Sequence, residues 1–65
     1  MIIVDLIKEF MYQNDMDIND VAEATGLSYT TIENIVKRDR IPSVKDANLI
    51  FGIFGVTLDE ILSLY

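Results

Sequence analysis

The strongest chemistry in this chain belongs to its cations, and they are concentrated. Lys37, Arg38, Arg40 and Lys45 fall within nine residues of a chain whose formal charge is −6. Just ahead of them runs a polar stretch, Ser28-Tyr29-Thr30-Thr31, followed by Glu33 and Asn34. These side chains supply hydroxyl, amide, carboxylate and cationic groups, suited to exchanging hydrogen bonds and to holding an anion. Covalent chemistry is a poorer fit. Cys and His are both absent, which removes disulfides, the usual zinc ligand sets, thiolate nucleophiles and the commonest general base. No pair of carboxylates sits in a pattern that suggests a catalytic cleft, and so short a chain struggles to enclose one. Neither an enzyme nor a bound metal or cofactor is expected.

Charge is segregated along the chain. In residues 1–24 the acids Asp5, Glu9, Asp15, Asp17, Asp20 and Glu23 face Lys8 alone. Residues 25–45 are net positive despite Glu33 and Asp39, and residues 46–65 turn acidic again through Asp46, Asp59 and Glu60. The overall sign argues against an indiscriminate polyanion binder, but the local cluster permits a directed one. A plainer role also exists for Lys37 and Arg38. At a helix C-terminus each complements the helix dipole by about 0.3–1 kcal/mol.

At 65 residues, 51% of them hydrophobic, the chain is expected to form one small domain with a single core. No stretch approaches the roughly 20 apolar residues of a membrane span, because "MIIVDLIKEF" is broken by Asp5, Lys8 and Glu9. No membrane partner is expected. Without a basic leader or a small-residue cleavage site, the expected location is the cytoplasm.

Helical spacing recurs throughout, and strand-like alternation does not persist. The expectation is an all-α fold with helices over about residues 2–13, 18–25, 29–37, 44–54 and 58–63. Ile3, Leu6, Ile7, Phe10 and Met11 form the apolar stripe of the first helix, which should fade at Asn14-Asp15. Asp17 is placed to cap the second helix and Gly26 to end it in a left-handed conformation. Ser28 should cap the third, with Thr31 or Ile32 turned inward beside Ile35 and Val36. Ser43 should cap the fourth, whose inner side is read as Val44, Ala47, Ile50, Phe51 and Phe54. Thr57 and Glu60 spell a capping box for the fifth, which runs through Ile61, Leu62 and Leu64. Tyr12 and Tyr65 read as partly buried packing residues.

The turn Gly26-Leu27-Ser28 is too short for antiparallel packing, so the second and third helices must cross steeply. Ala22 is small enough for such a crossing, and Ile32 and Ile35 supply its inward apolar groups. At this point the chain resembles the phage repressor/Cro-like, or xenobiotic-response-element, helix-turn-helix family. The likeness is carried by "DVAEATGLSYTTIENI", by "RIPS" and by "FGVTLDEIL". Members are five-helix DNA-binding domains acting in transcription control, commonly as two-fold dimers. Three departures from the pattern stand out. Ile18 stands where many members have a phosphate-contacting glutamine. Met11 and Val36 replace an arginine–glutamate pair, a joint exchange that packed apolar groups tolerate. Arg38 occupies the place of the glycine that ends the third helix.

The resemblance implies that the third helix enters the major groove of double-stranded DNA. Tyr29, Thr30, Glu33 and Asn34 are then the base-contacting candidates. Ser28, Thr31, Lys37, Arg38, Arg40 and Lys45 are the backbone-contacting candidates. Glu33 is the awkward member, being repelled by phosphates, and a surface bond to Tyr29, Lys37 or Arg40 is its alternative role. Leu49 and Ile53, off the inner face of the fourth helix, join Leu64 and Tyr65 as surplus apolar surface. They are read as a homodimer interface. The expected function is a sequence-specific transcriptional regulator, a repressor of phage or mobile-element type. The alternative is a protein-interaction module on the same fold, an antirepressor or inhibitor with a protein partner and no DNA binding.

Overall fold

The computed structural model describes residues 2–63. They form α1 (Ile2–Gln13), α2 (Ile18–Thr25), α3 (Tyr29–Arg38), α4 (Val44–Ile53) and α5 (Leu58–Leu62), with no strand among the described residues. Each helix from α2 onward begins on a side chain that satisfies one of its free amides. The Asp20 amide donates to Asp17 Oδ1 at 2.8 Å, and the Asp17 amide donates back to Asp20 Oδ2 at 3.0 Å. This is a reciprocal capping box with aspartate doing the work of the usual glutamate. Ser28, Ser43 and Thr57 accept from the amides of Thr31, Asp46 and Glu60, each at 3.1 Å. The Thr57 box is only half made. Glu60 Oε1 accepts from the Thr57 hydroxyl at 3.2 Å rather than from its amide.

Helix ends depend on left-handed residues. Gly26 (φ 78) ends α2, its amide donating to the Ala22 carbonyl at 2.9 Å. Two aspartates do the same job without glycine's freedom, Asp15 after α1 and Asp39 after α3, both at φ 54. Short polar side chains are the non-glycine residues that best tolerate this region. The departure foreseen at Arg38 is thereby resolved. Arg38 stays helical, α3 gains a residue over the expected range, and the positive φ passes to Asp39.

The core is Val4, Ile7 and Met11 of α1, Val21 and Ala22 of α2, Ile32 and Ile35 of α3, Ala47, Ile50 and Phe51 of α4, and Ile61 of α5. α2 packs on α3 and α4, α1 on α3, and α5 on α4. Ala22, buried between α2 and its neighbours, gives α3 room to approach. Phe10 meets the buried Phe51 edge-on, with centroids 6.0 Å apart, and stacks on Phe54 at 5.4 Å. Met11 is buried and Val36 packs against the core, so the positions of the family's ion pair are filled by apolar contact.

Two residues expected to pack, Val44 and Tyr12, face solvent instead, as does Leu62. Val44, the first residue of α4, is 68% exposed, and the helix buries Ala47, Ile50 and Phe51 without it. Leu62 is 53% exposed, because the five-residue α5 turns Ile61 and, in part, Leu58 to the core instead. Tyr12 is 84% exposed, lying beyond the buried stripe of Val4, Ile7 and Met11. Leu64 and Tyr65 lie outside the described residues. Phe51→Ala is expected to lower unfolding free energy by about 3–5 kcal/mol, as a fully buried ring leaves a cavity. Chemical denaturation followed by circular dichroism measures it, and a loss under about 1 kcal/mol would contradict the packing described.

Candidate nucleic-acid interface

Only Ile32 and Ile35 of α3 are fully buried. Tyr29 and Thr30 are exposed at its start, while Thr31, Glu33 and Asn34 are half-buried. The turn that positions this helix is stapled by a side chain the sequence did not single out. Thr25 Oγ1 donates to the Val21 carbonyl at 2.7 Å and accepts from the Leu27 amide at 3.2 Å. Its hydroxyl thus replaces backbone partners that the end of α2 leaves free. At the start of α3 the Ser28 and Thr31 hydroxyls lie 2.8 Å apart and bond to one another. Both are partly committed to capping.

Farther along α3 the polar side chains sort into paired and unpaired groups. Glu33 Oε2 and Lys37 Nζ are 3.8 Å apart, one turn along the helix, which gives Glu33 the second of its three possible partners. The Asn34 side chain makes no hydrogen bond among the described residues, although its main-chain oxygen receives the amides of Asp39 and Arg40. That main-chain link brings Arg40 back toward α3. Asn34 and Arg40 border one groove of about 410 Å³, closed by Thr31, Pro42, Ser43 and Asp46. A free amide and a free guanidinium therefore share a recess beside the exposed face of α3.

Lys37, Arg38, Arg40 and Lys45 are all exposed, and of these only Lys37 forms an ion pair among the described residues. Lys8, far away in sequence, joins them. Its Nζ lies 3.0 Å from Oδ1 of Asp39, the residue that separates Arg38 from Arg40. The chain has five cationic side chains in all: Lys37 and Arg38 are on α3, Arg40 follows it, Lys8 is bonded to Asp39 between them, and Lys45 is on the first turn of α4. Acidic side chains gather elsewhere. Asp15, Asp17 and Asp20 line a hollow of about 640 Å³ at the α1–α2 turn, beside the exposed Tyr12.

Of the apolar residues read as an interface, Leu49 is exposed, whereas Ile53 is half-buried and packs against the core. Among the described residues no group of acids could hold a metal, and no helix is long and apolar enough to cross a membrane.

The Lys8 hydrogen bond, and secondarily its charge, hold the Asp39 carboxyl below its ordinary value of 3.8. A carboxylate shifted this way adds stability that is present above the ordinary value and lost as pH falls through the lower, folded one. In Lys8→Ala the Asp39 midpoint is expected to rise toward its ordinary value. Carboxyl-detected NMR titration reads it directly, and an unmoved midpoint would exclude Lys8 as the cause. Comparison with known proteins adds the family. Residues 7–61 match the family model described as helix-turn-helix, a span that takes in α2, α3 and α4 whole. No curated protein and no solved structure matches the chain. With α2, its three-residue turn and α3 at the centre of the matched span, the chain belongs to the Cro/C1-type helix-turn-helix family of DNA-binding transcription regulators.

Proposed function

We propose that this chain is a sequence-specific repressor of phage or mobile-element type that reads the major groove with α3. One observation carries the reading: in a protein of formal charge −6, Arg38 and Arg40, unpaired among the described residues, sit at the end of α3 with Lys37, and Lys45 follows on the first turn of α4. Phosphates hold a protein in register on the duplex, and base edges then select the sequence. In this arrangement Lys37, Arg38, Arg40 and Lys45 are the anchors, with Ser28 and Thr31 at the rim. Tyr29, Thr30 and Asn34 meet the bases. Asn34, with both amide hydrogens and its oxygen free, suits adenine, which takes two bonds from an amide in the major groove. Glu33 is turned to Lys37, which lessens its repulsion from phosphate.

A second reading has its own support. Ile18 packs against the core and presents no hydrogen-bonding group where the family's glutamine would meet a phosphate. With the net charge, this favours a protein-binding module, an antirepressor or inhibitor. Selection of bound sequences from random duplexes at low salt separates the two. A repressor is expected to enrich a short palindrome, and no enrichment under any condition favours the module. Asn34→Ala should relax preference at one base position, costing about 1–3 kcal/mol there. Arg40→Ala should weaken all sequences alike and reduce the salt slope of log K by about 0.9.

The repressor is proposed to act as a homodimer, which sets two recognition helices about 34 Å apart, on successive major-groove faces. Exposed Leu49, on α4, supports a self-association surface. Sedimentation equilibrium should show a dimer at micromolar concentration and a shift toward monomer in Leu49→Glu. A monomeric wild type would remove the dimer while leaving DNA contact by a single copy intact.

A further inference from the structure

We propose that Lys8 is a positioning residue for the cationic edge: by holding the Asp39 carboxylate, it keeps that carboxylate from neutralising Arg38 and Arg40. The inference rests on the DNA-binding reading above and adds to it a residue on the opposite end of the chain.

Asp39 is the only acid in the run Lys37-Arg38-Asp39-Arg40. It occupies a left-handed position that glycine or asparagine would fill without bringing a charge. A carboxylate there has two guanidinium neighbours in the chain, and bidentate pairing with arginine is among the strongest ionic contacts available to it. Nevertheless, neither Arg38 nor Arg40 pairs with it. Its partner is the lysine of α1, thirty-one residues away, at 3.0 Å.

Stability is a weak explanation for this contact. Both side chains are substantially exposed, 41% for Lys8 and 64% for Asp39, and solvent-exposed ion pairs contribute little to folding. What the contact changes is the local field. Lys8 cancels the one negative charge in the run and leaves both guanidinium groups unpaired among the described residues. Lys8 is also the sole cation in residues 1–24. Helix α1 packs on α3, so a lysine at this register is delivered to the end of α3 by the fold itself. Without it, the Asp39 carboxylate is free to turn toward either arginine and to repel an approaching phosphate.

The test is a double-variant cycle read by fluorescence anisotropy on a labelled random-sequence duplex at low salt, since phosphate contact does not depend on sequence. Lys8→Ala is expected to weaken binding by roughly three- to tenfold, about the effect of losing one phosphate anchor. Lys8→Arg, which keeps the pair, is expected to bind like the wild type. Asp39→Asn is expected to bind at least as tightly as the wild type, and Lys8→Ala combined with Asp39→Asn should recover the affinity of Asp39→Asn alone. Should Lys8→Ala weaken binding equally in the Asp39→Asn background, Lys8 would be a phosphate contact in its own right and the proposal would be overturned. Tight binding by Lys8→Ala, or weak binding by Asp39→Asn, also overturns it. Were Lys8→Ala to lose helicity by circular dichroism, Asp39→Asn alone still decides, tighter binding supporting the proposal and weaker binding ending it. A wild type that binds no duplex defeats the DNA-binding reading and this inference together. A binding wild type without recovery in the double variant defeats this inference alone.

Discussion

The burial of Ile32 and Ile35 is the constraint on which the rest of the molecule depends. Enclosing one such side chain contributes about 1.5–3 kcal/mol, more than the roughly 1 kcal/mol typical of a helix cap. Those two side chains therefore set the rotation of α3 about its own axis. Among the described residues no polar or charged side chain is buried, so the hydroxyls, amide and charges of α3 are left at the surface. α1 and α2 pack on α3, and its exposed face is what remains uncovered.

Acidity in the rest of the chain acts on how that face is used. Asp15, Asp17 and Asp20 lie around a separate hollow at the α1–α2 turn, while the cations attend the end of α3. A charge-separated body of this kind is turned by the field of a polyanion before contact. Its net charge also opposes loose adhesion. On the proposed repressor reading, binding then rests on short-range fit, which favours discrimination over raw affinity. Screening limits these effects to about 10 Å at 0.1 M salt.

Local features of the fold were legible in the sequence, and distant ones were not. Asp17, Ser28, Ser43 and Thr57 could be read as caps because a cap and its amide partner are three residues apart. The stripe of α1 and the pair Ile32 and Ile35 followed from helical spacing. The outward positions of Val44 and Tyr12 were not legible for one reason: periodicity tells which residues share a helix face, not how far along the helix the neighbours reach. At the interface, the exposure of Tyr29 and Thr30 was foreseeable from the polar side of α3. The Lys8–Asp39 bond was not, since nothing in either residue's surroundings points across a gap of thirty-one positions. Thr25 was missed because a threonine at a helix end has several local partners available. An annotation of spacing alone cannot rank them.

Among the described residues the interior is made only of hydrocarbon, aromatic and thioether groups, which fix how the helices are rotated but not where each one begins and ends. Apolar interiors accept many rearrangements of similar volume. The bounds of the helices are set at the margins, in the four capped starts, the left-handed aspartates and the threonine staple. The small polar residues thus act as punctuation, fixing where each helix begins and stops, while the buried apolar ones fix how the helices are turned against one another.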